Sequence, residues 1–368
     1  MKPQFIIFSG YNERAVFAFL RHLSINDISY AIIAADKNDR IFLTKYGKAV
    51  RYIRHNASLN FTEILEALRH VCASKQNRYF YAPTTESLNR IMLSNKDEIE
   101  RLGITIPLIT LNTYSLLSDK YQFYNLCKSN HINVPKEIHD PRYAQLPFVA
   151  KPKNYGQGSY LKPVLILNEQ ERKLQLQSKQ EDNFFYQEFV SGRSIYYLLY
   201  LGLDGGVTAF SQENYIQQPH GKSIIAAIAT DHWKSKNCTQ YITLLCNIKF
   251  RGLVMIEVCQ TGDMSYMIEA NPRFWGPSQL FVDSMSENLF SKFIQDWCAA
   301  KTKSHTRSSH GRYYWHEGLI ETIRNGEKPV FHNYTEEKFV EDLPKWLEAD
   351  IYRRSDTFNI FLQQIKLG

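Results

Sequence analysis

Two glutamates on neighbouring predicted strands are the residues best suited to chemistry. Glu257 lies in the apolar run 254–258, and Glu269 ends a second apolar run that a short polar turn joins to the first. This pattern predicts a β-hairpin. Asn271 follows Glu269 by two positions, so both side chains lie on one face of an extended strand. Two carboxylates and an amide oxygen suit a Mg²⁺ ion that already carries nucleotide phosphates, and Arg273 adds a fixed positive charge beside them.

A lysine at the end of another predicted strand supplies a matching positive charge. Lys151 ends the apolar run 147–152, and a small loop that contains Gly156, Gly158 and Ser159 follows it. The run 161–167 returns as a strand, so the pattern predicts a hairpin whose loop can cover phosphates with backbone N–H groups. A lysine ammonium beside such a loop favours a phosphate ligand.

The elements that must position these residues change type along the chain. Short apolar strands alternate with amphipathic helices over the first hundred residues: strands at 5–8, 30–34 and 79–82, and helices at 13–23, 60–73 and 86–102. This alternation predicts a parallel sheet covered on both faces. A helix is predicted over 113–130, and antiparallel strands follow it. The predicted fold class is therefore α/β, Rossmann-like, followed by α+β.

Composition narrows the class of protein. The chain has 368 residues, of which 44% are hydrophobic and 22% are charged, as in soluble globular proteins. No apolar run approaches the length of about 20 residues that a membrane helix needs. Six cysteines without a Cys-x-x-Cys pair favour reduced thiols and a cytoplasmic location. The net charge of +7 favours an anionic ligand, but no nucleic-acid motif occurs.

A dinucleotide site in the first domain is disfavoured. The segment 9–12 after the first strand lacks the Gly-x-Gly-x-x-Gly spacing through which a backbone approaches a pyrophosphate. A dehydrogenase is therefore the least favoured function.

The ordered set of these residues resembles the ATP-grasp family. The residues that carry the resemblance are Lys120, Lys151 with its glycine loop, Gln187-Glu188-Phe189-Val190, Glu257, Glu269, Asn271 and Arg273. The similarity covers roughly residues 1–300, because the first hundred residues resemble the domain that precedes the ATP-grasp domain in carbamoyl-phosphate-synthase-like enzymes. It implies a pre-ATP-grasp domain at 1–112 and a two-lobed ATP-grasp domain at 113–304, with lobes at about 113–186 and 187–304. A small helical C-terminal subdomain at 305–368 would follow.

The resemblance also implies roles for individual residues. ATP and one or two Mg²⁺ ions, for which Mn²⁺ could substitute, are the implied cofactors. The implied phosphate contacts are Lys120, Lys151, Gly156, Gly158 and Ser159, and the implied adenine hinge is Gln187, Glu188, Phe189 and Val190. The implied metal ligands are Glu257, Glu269 and Asn271. The implied catalytic cations are Lys151 and Arg273, and Arg273 would also contact the substrate.

One position departs from the family pattern, and the role of one loop stays open. Ser194 stands where many members have a ribose-binding glutamate, so it offers one hydroxyl in place of a carboxylate. The loop 212–223 is expected to face the acceptor substrate, where His220 and Lys222 would suit a carboxylate or phosphate. An exposed turn with a surface lysine explains these two residues equally well.

The function implied is an ATP-dependent carboxylate–amine ligase that works through an acyl-phosphate. One alternative keeps the fold but phosphorylates bicarbonate and transfers a carboxyl or carbamoyl group. Another is a nucleotide-binding protein without catalysis. The expected partners are a small carboxylate and an amine, without nucleic acid or membrane, and a homodimer is the default assembly. The identity of the two substrates is not predicted.

Overall fold

The N-terminal part of the protein is built on a parallel sheet. The computed structural model describes residues 2–55, 57–74, 76–153, 161–177, 181–304 and 311–367. The first elements are β1 (Lys2–Phe8), α1 (Glu13–Ile25), β2 (Ser29–Ala34), β3 (Val50–Ile53), α2 (Phe61–Val71), β4 (Asn77–Tyr81), α3 (Glu86–Ser94), α4 (Lys96–Glu100) and β5 (Ile104–Thr105). The strand order is β3-β2-β1-β4-β5, and all pairs are parallel. The α/β prediction for this region is confirmed.

The central strand explains why this sheet is covered on both faces. Phe5 and Ile7 of β1 are fully buried in a cluster with α1, while Ile6 and Phe8 are fully buried in a second cluster with α2 and α3. The run Phe5–Phe8, which is apolar at every position, has no face for solvent, and this is typical of parallel sheets. The predicted helix over 86–102 is divided between α3 and α4 at Asn95, whose side-chain amide donates to Ile91 O at 2.8 Å.

The adjacent carboxyl ends of β1 and β4 define the crevice position of this sheet. The chain continues from β1 to β2 and β3 on one side and then crosses to β4 and β5 on the other. In open α/β sheets, ligands bind outside the strands at such a point. Asn12 follows β1 there with φ 45°, and its amide donates to Thr84 O at 2.8 Å and to Phe274 O at 3.1 Å. The crevice is thereby tied to the region around residue 274.

A smaller antiparallel sheet follows two short helices. Its region contains α5 (Leu111–Ser118), α6 (Lys120–Ser129), β6 (Glu137–Ile138), β7 (Phe148–Pro152), β8 (Val164–Ile166), α7 (Glu169–Leu176) and β9 (Phe184–Glu188), with strand order β6-β9-β7-β8. The predicted hairpin is therefore present as β7 and β8. The single helix predicted over 113–130 is wrong in one respect, because Asp119 is extended, with ψ 115°, and divides it. Lys120 consequently begins α6.

A larger antiparallel sheet completes the fold. Its region contains β10 (Arg193–Leu201), β11 (Val207–Gln217), β12 (Ile224–Thr230), α8 (Lys236–Asn247), β13 (Gly252–Thr261), β14 (Met264–Asn271), α9 (Gln279–Ser284) and α10 (Leu289–Cys298). The path β14-β13-β10-β11-β12 continues into the C-terminal segment described next. The expected loop 212–223 is shorter than predicted, since β11 runs to Gln217 and buries Gln212 and Asn214 completely.

The C-terminal segment adds helices and also two strands. It contains β15 (Arg312–Tyr314), α11 (His316–Arg324), β16 (Val330–Phe331), α12 (Glu336–Glu348) and α13 (Phe358–Leu367). β15 pairs with β12 and β16 pairs with β11, so these strands extend the larger sheet. The segment was predicted to be helical, and the strands escaped prediction because each has only two or three residues.

Two further observations concern cysteines and membranes. All six cysteines are free thiols. In the described ranges, no helix has the length and apolarity that crossing a membrane requires.

A buried arginine joins α1 to the C-terminal segment. Arg21 Nε pairs with Asp356 Oδ2 at 2.8 Å, and its other nitrogens donate to Gln279 Oε1, Ile351 O and Thr357 Oγ1 at 2.8–3.0 Å. Both charged side chains are almost completely buried. Because a buried charge is costly without its partner, this pair fixes the C-terminal segment against α1.

We therefore expect Arg21→Met to lower the free energy of unfolding by about 3 kcal/mol, since it leaves the Asp356 carboxylate buried without a counter-charge. Urea denaturation measures this change. Arg51→Met, which removes the same charge at an exposed position of β3, is the control. Equal effects of the two substitutions would contradict the prediction.

Candidate functional site

The two glutamates on the β13–β14 hairpin face each other directly. Glu257 is paired with Glu269 in the antiparallel register, and a bulge after Glu257 shifts the rest of the hairpin. Burial, together with the negative charge of Glu269, raises the pKa of Glu257. Like charges directly opposite in a sheet repel, so this pair needs a cation.

Lys120 supplies positive charge to one member of the pair. Its ammonium donates to Glu269 Oε2, while the Asn271 amide donates to Glu269 Oε1 at 2.7 Å. Although burial acts in the opposite direction, the charge and hydrogen bond of Lys120 hold the pKa of Glu269 below its usual range. The two carboxyls therefore differ: Glu269 is held ionised, whereas the ionised form of Glu257 is disfavoured unless a cation lies beside it.

The polar contacts of Arg90 position Lys120 beside Glu269. Arg90 of α3 pairs with Glu86 at 3.0 Å and with Asp119 at 2.6 Å, and it donates to Ser118 Oγ at 2.7 Å. These contacts hold the junction between α5 and α6, where Lys120 begins the second helix. The sequence pattern gave no sign of this break.

Lys151 approaches the pair from the β7–β8 hairpin. The side chain is buried, and its ammonium donates to Ile268 O at 2.9 Å. Burial and the nearby charge of Lys120 lower its pKa to about 8. An anion beside Lys151 would stabilise its charged form, so this lysine is suited to a phosphate group.

A cavity of about 660 Å³ lies between the β7–β8 hairpin and the larger sheet. Most of the residues predicted for nucleotide and metal binding line it: Lys151, Gln187, Glu188, Phe189, Val190, Ser194, Glu257 and Glu269, with His220 from the substrate prediction. Lys120 and Asn271 reach it through Glu269. Gly156, Gly158 and Ser159 lie outside the described residues.

The predicted adenine hinge follows β9 at one end of the cavity. Gln187 is buried between β6 and β7, and its amide nitrogen lies 3.4 Å from Pro135 O. Its Oε1 is buried without a partner among the described residues. Glu188 points outward, 3.6 Å from Lys136, and its backbone N–H donates to Lys136 O. Phe189 and Val190 leave the sheet and line the cavity.

Ser194 lies close to the carboxylate pair. Its hydroxyl accepts a hydrogen bond from Asn214 at 2.9 Å and donates to Glu257 Oε1 at 3.5 Å. The hydroxyl is thus directed at Glu257, and the position where the family pattern has a ribose-binding glutamate carries a group that orients a carboxylate.

Of the residues predicted at the substrate side, His220 lines the cavity and Lys222 does not. Lys222 lies 3.3 Å from Glu327 of the C-terminal segment, so an internal carboxylate already neutralises it. Arg273 donates to Phe274 O at 2.8 Å and has no carboxylate partner among the residues that the structure describes.

The C-terminal segment contributes cavity residues that sequence reasoning missed. Phe331, His332 and Asn333 line the cavity beside β10 and β11. The His332 backbone N–H donates to Tyr215 O at 2.9 Å, and its ring nitrogen lies 3.1 Å from Gln217 Oε1. Burial lowers the pKa of His332. No motif marks these residues, because only the pairing of β16 with β11 brings them to the site.

The donor set fits a divalent ion that shares ligands with phosphates. Within the described ranges, no group of three or more His, Cys, Asp and Glu side chains is placed to hold a metal ion. The site offers two carboxylates, Glu257 and Glu269, and the Oδ1 of Asn271. Mg²⁺ commonly takes one or two carboxylates and completes its shell with phosphate oxygens and water. A bound cation would stabilise the ionised form of Glu257, whose pKa is raised by burial and by Glu269.

Comparisons with known proteins identify this region. The ATP-grasp domain model matches residues 117–277. The solved ADP complex of an N5-carboxyaminoimidazole ribonucleotide synthetase is 13% identical, with a TM-score of 0.63 over 95% of this chain and 98% of that chain. The Staphylococcus aureus N5-carboxyaminoimidazole synthetase complexed with ADP is 14% identical, with a TM-score of 0.59 over 94% of this chain and 98% of that one.

A third similar structure comes from a carboxylase. The biotin carboxylase domain dimer of Hydrogenobacter thermophilus 2-oxoglutarate carboxylase, in complex with MgADP, ADP and bicarbonate, is 13% identical, with a TM-score of 0.62 over 83% of this chain and 72% of that chain. No curated protein matches the sequence. At such identities the likeness to solved structures shows the fold. Together with the family match, this likeness confirms the resemblance to the ATP-grasp family: in this chain an ATP-grasp domain follows an N-terminal parallel-sheet domain.

Proposed function

We propose that the protein is an ATP-dependent, ADP-forming ligase that joins a carboxylate to an amine. The observation that carries this proposal is the directly opposed pair Glu257 and Glu269 at the cavity, with Lys120 and Lys151 beside it. A pair of carboxylates with two ammonium groups suits a metal–triphosphate complex, in which charges of both signs must be balanced.

At the end of the cavity that would hold the phosphates, protein residues would bind and orient the metal ion and the triphosphate. Glu257, Glu269 and Asn271 would hold Mg²⁺, which when bound neutralises charge that develops on the phosphates. Lys120 now neutralises Glu269 and would be available to a phosphate oxygen once a metal takes that carboxylate. Lys151 approaches from the facing hairpin and would fix the phosphate chain from the other side.

At the other end, the cavity has the character of a nucleoside site. Its volume of about 660 Å³ lies in the range of small-molecule pockets. Val149 and Leu165 of the hairpin and Val190 of the hinge give it apolar walls. The base would lie among these side chains, next to the backbone of the hinge.

The reaction that we propose has two steps. The substrate carboxylate attacks the γ-phosphorus of ATP, which gives an acyl-phosphate and ADP. The amine then attacks the acyl carbon, phosphate leaves, the nitrogen loses a proton and an amide forms. Arg273, which no described carboxylate neutralises, would stabilise the negative charge on the acyl-phosphate and on the oxyanion of the second step.

A second candidate is a ligase that activates bicarbonate instead of an organic carboxylate. The similar solved structures favour it, because their names are those of a carboxylase and of carboxyaminoimidazole synthetases. The chemistry of phosphoryl transfer would be the same. A homodimer and a cytoplasmic location stay predictions.

We expect ADP and phosphate release from MgATP to require both a carboxylic acid and an amine, because the acyl-phosphate needs an acceptor. An array of acids crossed with amines, followed by mass analysis of the product, measures this. Release that depends on bicarbonate would favour the second candidate. MgATP binding without turnover in every combination, including bicarbonate, would count against a ligase and for a nucleotide-binding protein.

We expect Glu269→Gln to lower kcat by about 100-fold or more while the far-UV circular dichroism spectrum stays that of the folded wild type, because the substitution removes a charged metal ligand but keeps its shape. Glu287→Gln, at an exposed position on the surface, is the matched control. Near wild-type turnover in Glu269→Gln would remove this residue from the metal site.

We expect Cys259→Phe to weaken MgADP binding at least about tenfold, because Cys259 lines the cavity and the larger ring would occupy space needed by the nucleotide. Calorimetry measures the affinity. Cys246→Phe, which places the same ring at an exposed position of α8, should bind MgADP as the wild type does. Unchanged binding in Cys259→Phe would place the nucleotide elsewhere.

A further inference from the structure

An arginine at the crevice of the N-terminal sheet lacks a carboxylate partner. Arg14 lies in the first turn of α1, next to Asn12 at the carboxyl end of β1. Its hydrogen-bond partners are neutral: Ile224 O at 3.1 Å, the Tyr313 hydroxyl at 3.1 Å and Ser223 Oγ at 2.7 Å. In the part of the chain that the structure describes, no carboxylate pairs with it.

Two acidic side chains in the surroundings of Arg14 are already engaged. Glu13 precedes Arg14, and Glu317 accepts a hydrogen bond from Trp315 at 3.4 Å, but both carboxylates pair with Arg40, at 3.5 Å and 2.8 Å. Arg14 therefore holds a positive charge in a partly buried place without an internal counter-charge. Such a charge favours an anion from outside.

Arg14 has unused N–H groups on Nε and Nη2, and the same two nitrogens bind carboxylates elsewhere in this protein. Arg193 holds Glu213 through Nε and Nη2, at 2.8 Å and 2.6 Å, and Arg142 holds Asp140 in the same way. In Arg14, the three observed bonds leave Nε–H and one N–H of Nη2 unused. Nε–H together with an N–H of Nη2 is the combination that binds a carboxylate with two hydrogen bonds in Arg193.

The guanidinium is also held in a fixed orientation. Its central carbon lies 3.8 Å from the centre of the Trp315 ring. A Cβ atom on Gly276 would meet the same carbon at 2.9 Å, so the absence of a side chain at Gly276 makes room for Arg14. Because its position is set before any ligand arrives, Arg14 loses little freedom on binding.

The location of Arg14 links the crevice to the proposed phosphate site. Gly276 is three residues beyond Arg273, and Ser223 is three residues beyond His220, which lines the cavity. The charges of both places act on the buried hydroxyl of Tyr196: burial raises its pKa, Glu257 and Glu269 raise it further, and Arg273 and Arg14 lower it. The crevice is thus beside the carboxylate pair, on the side of the N-terminal sheet.

We propose that Arg14 binds an anionic group of the substrate, a carboxylate or a phosphate, that is separate from the group that reacts. The substrate class is therefore an acid with a second anionic function, held between α1 and the larger sheet. This inference rests on the proposed function, because it places the substrate next to the ATP site. It assigns Arg14 to substrate binding and specificity, whereas the residues around Glu269 would carry out the phosphoryl transfer.

The test uses small anions as probes of the full chain. Glutarate supplies a dicarboxylate, glycerol phosphate supplies a phosphate monoester, and neutral glutaramide is the control ligand. Tryptophan emission reports binding because Trp315 lies against the guanidinium. We expect a saturable change with glutarate, glycerol phosphate or both, and none with glutaramide. The anion that gives the response identifies the group as carboxylate or phosphate.

Two variants then assign the response to Arg14. Arg14→Gln removes the charge, and Gly276→Ala keeps the charge but displaces the guanidinium. Both should raise the half-saturating anion concentration at least about tenfold, since a charge-assisted pair of hydrogen bonds is lost or misplaced. Arg51→Gln, which removes an exposed arginine on β3, should respond as the wild type does.

Some outcomes would overturn the inference. One is a wild-type protein that responds to neither anion. Another is an Arg14→Gln protein with a lower thermal unfolding midpoint but an unchanged anion titration, which would make Arg14 a purely structural tie between α1 and the sheet. Titrations with and without MgADP separate the two proposals: failure to bind MgADP counts against the ligase, and failure of the anion response counts against Arg14.

Discussion

The balance of charge around Glu257 and Glu269 is the constraint on which the site depends. Strand pairing places the two carboxyls directly opposite each other, where repulsion and burial would destabilise the hairpin. Lys120 neutralises one of them, and Ser194 donates to the other. A cation would stabilise the ionised form of Glu257, whose pKa is raised, and an anion would stabilise the charged form of Lys151, whose pKa is lowered by burial. A metal–phosphate ligand would supply both charges at once.

Three parts of the chain converge to keep this balance in place. The N-terminal sheet contributes Arg90 of α3, which braces the helix start that carries Lys120. The C-terminal segment pairs with β11 and brings His332 to the cavity wall. Arg21 ties that segment to α1 through Asp356. The cavity is therefore not a property of the ATP-grasp lobes alone, and changes in either flanking part would alter it.

Sequence reasoning located the hairpins correctly for local reasons. The β13–β14 hairpin has apolar runs and a polar turn, and Lys151 ends an apolar strand, so both features follow from patterns within about a dozen residues. The helix over 113–130 was predicted without its break, because Arg90, some thirty residues earlier, holds Asp119 in an extended conformation. The loop 212–223 was predicted too long, since the buried polar residues Gln212 and Asn214 resemble loop residues in sequence but bond to each other and to Ser194 inside the sheet.

The sequence by itself determined the order of domains, the carboxylate pair, the lysine of the hairpin and the ATP-grasp resemblance, because residue type and short spacing specify strands, turns and ligand chemistry. Only the tertiary structure decided which cations are already neutralised. Lys222 is paired with Glu327 and Lys120 with Glu269, while Arg14 pairs with no carboxylate among the described residues. Partners of this kind lie more than a hundred residues apart, and electrostatic energy depends on distance in space, which spacing along the chain does not record.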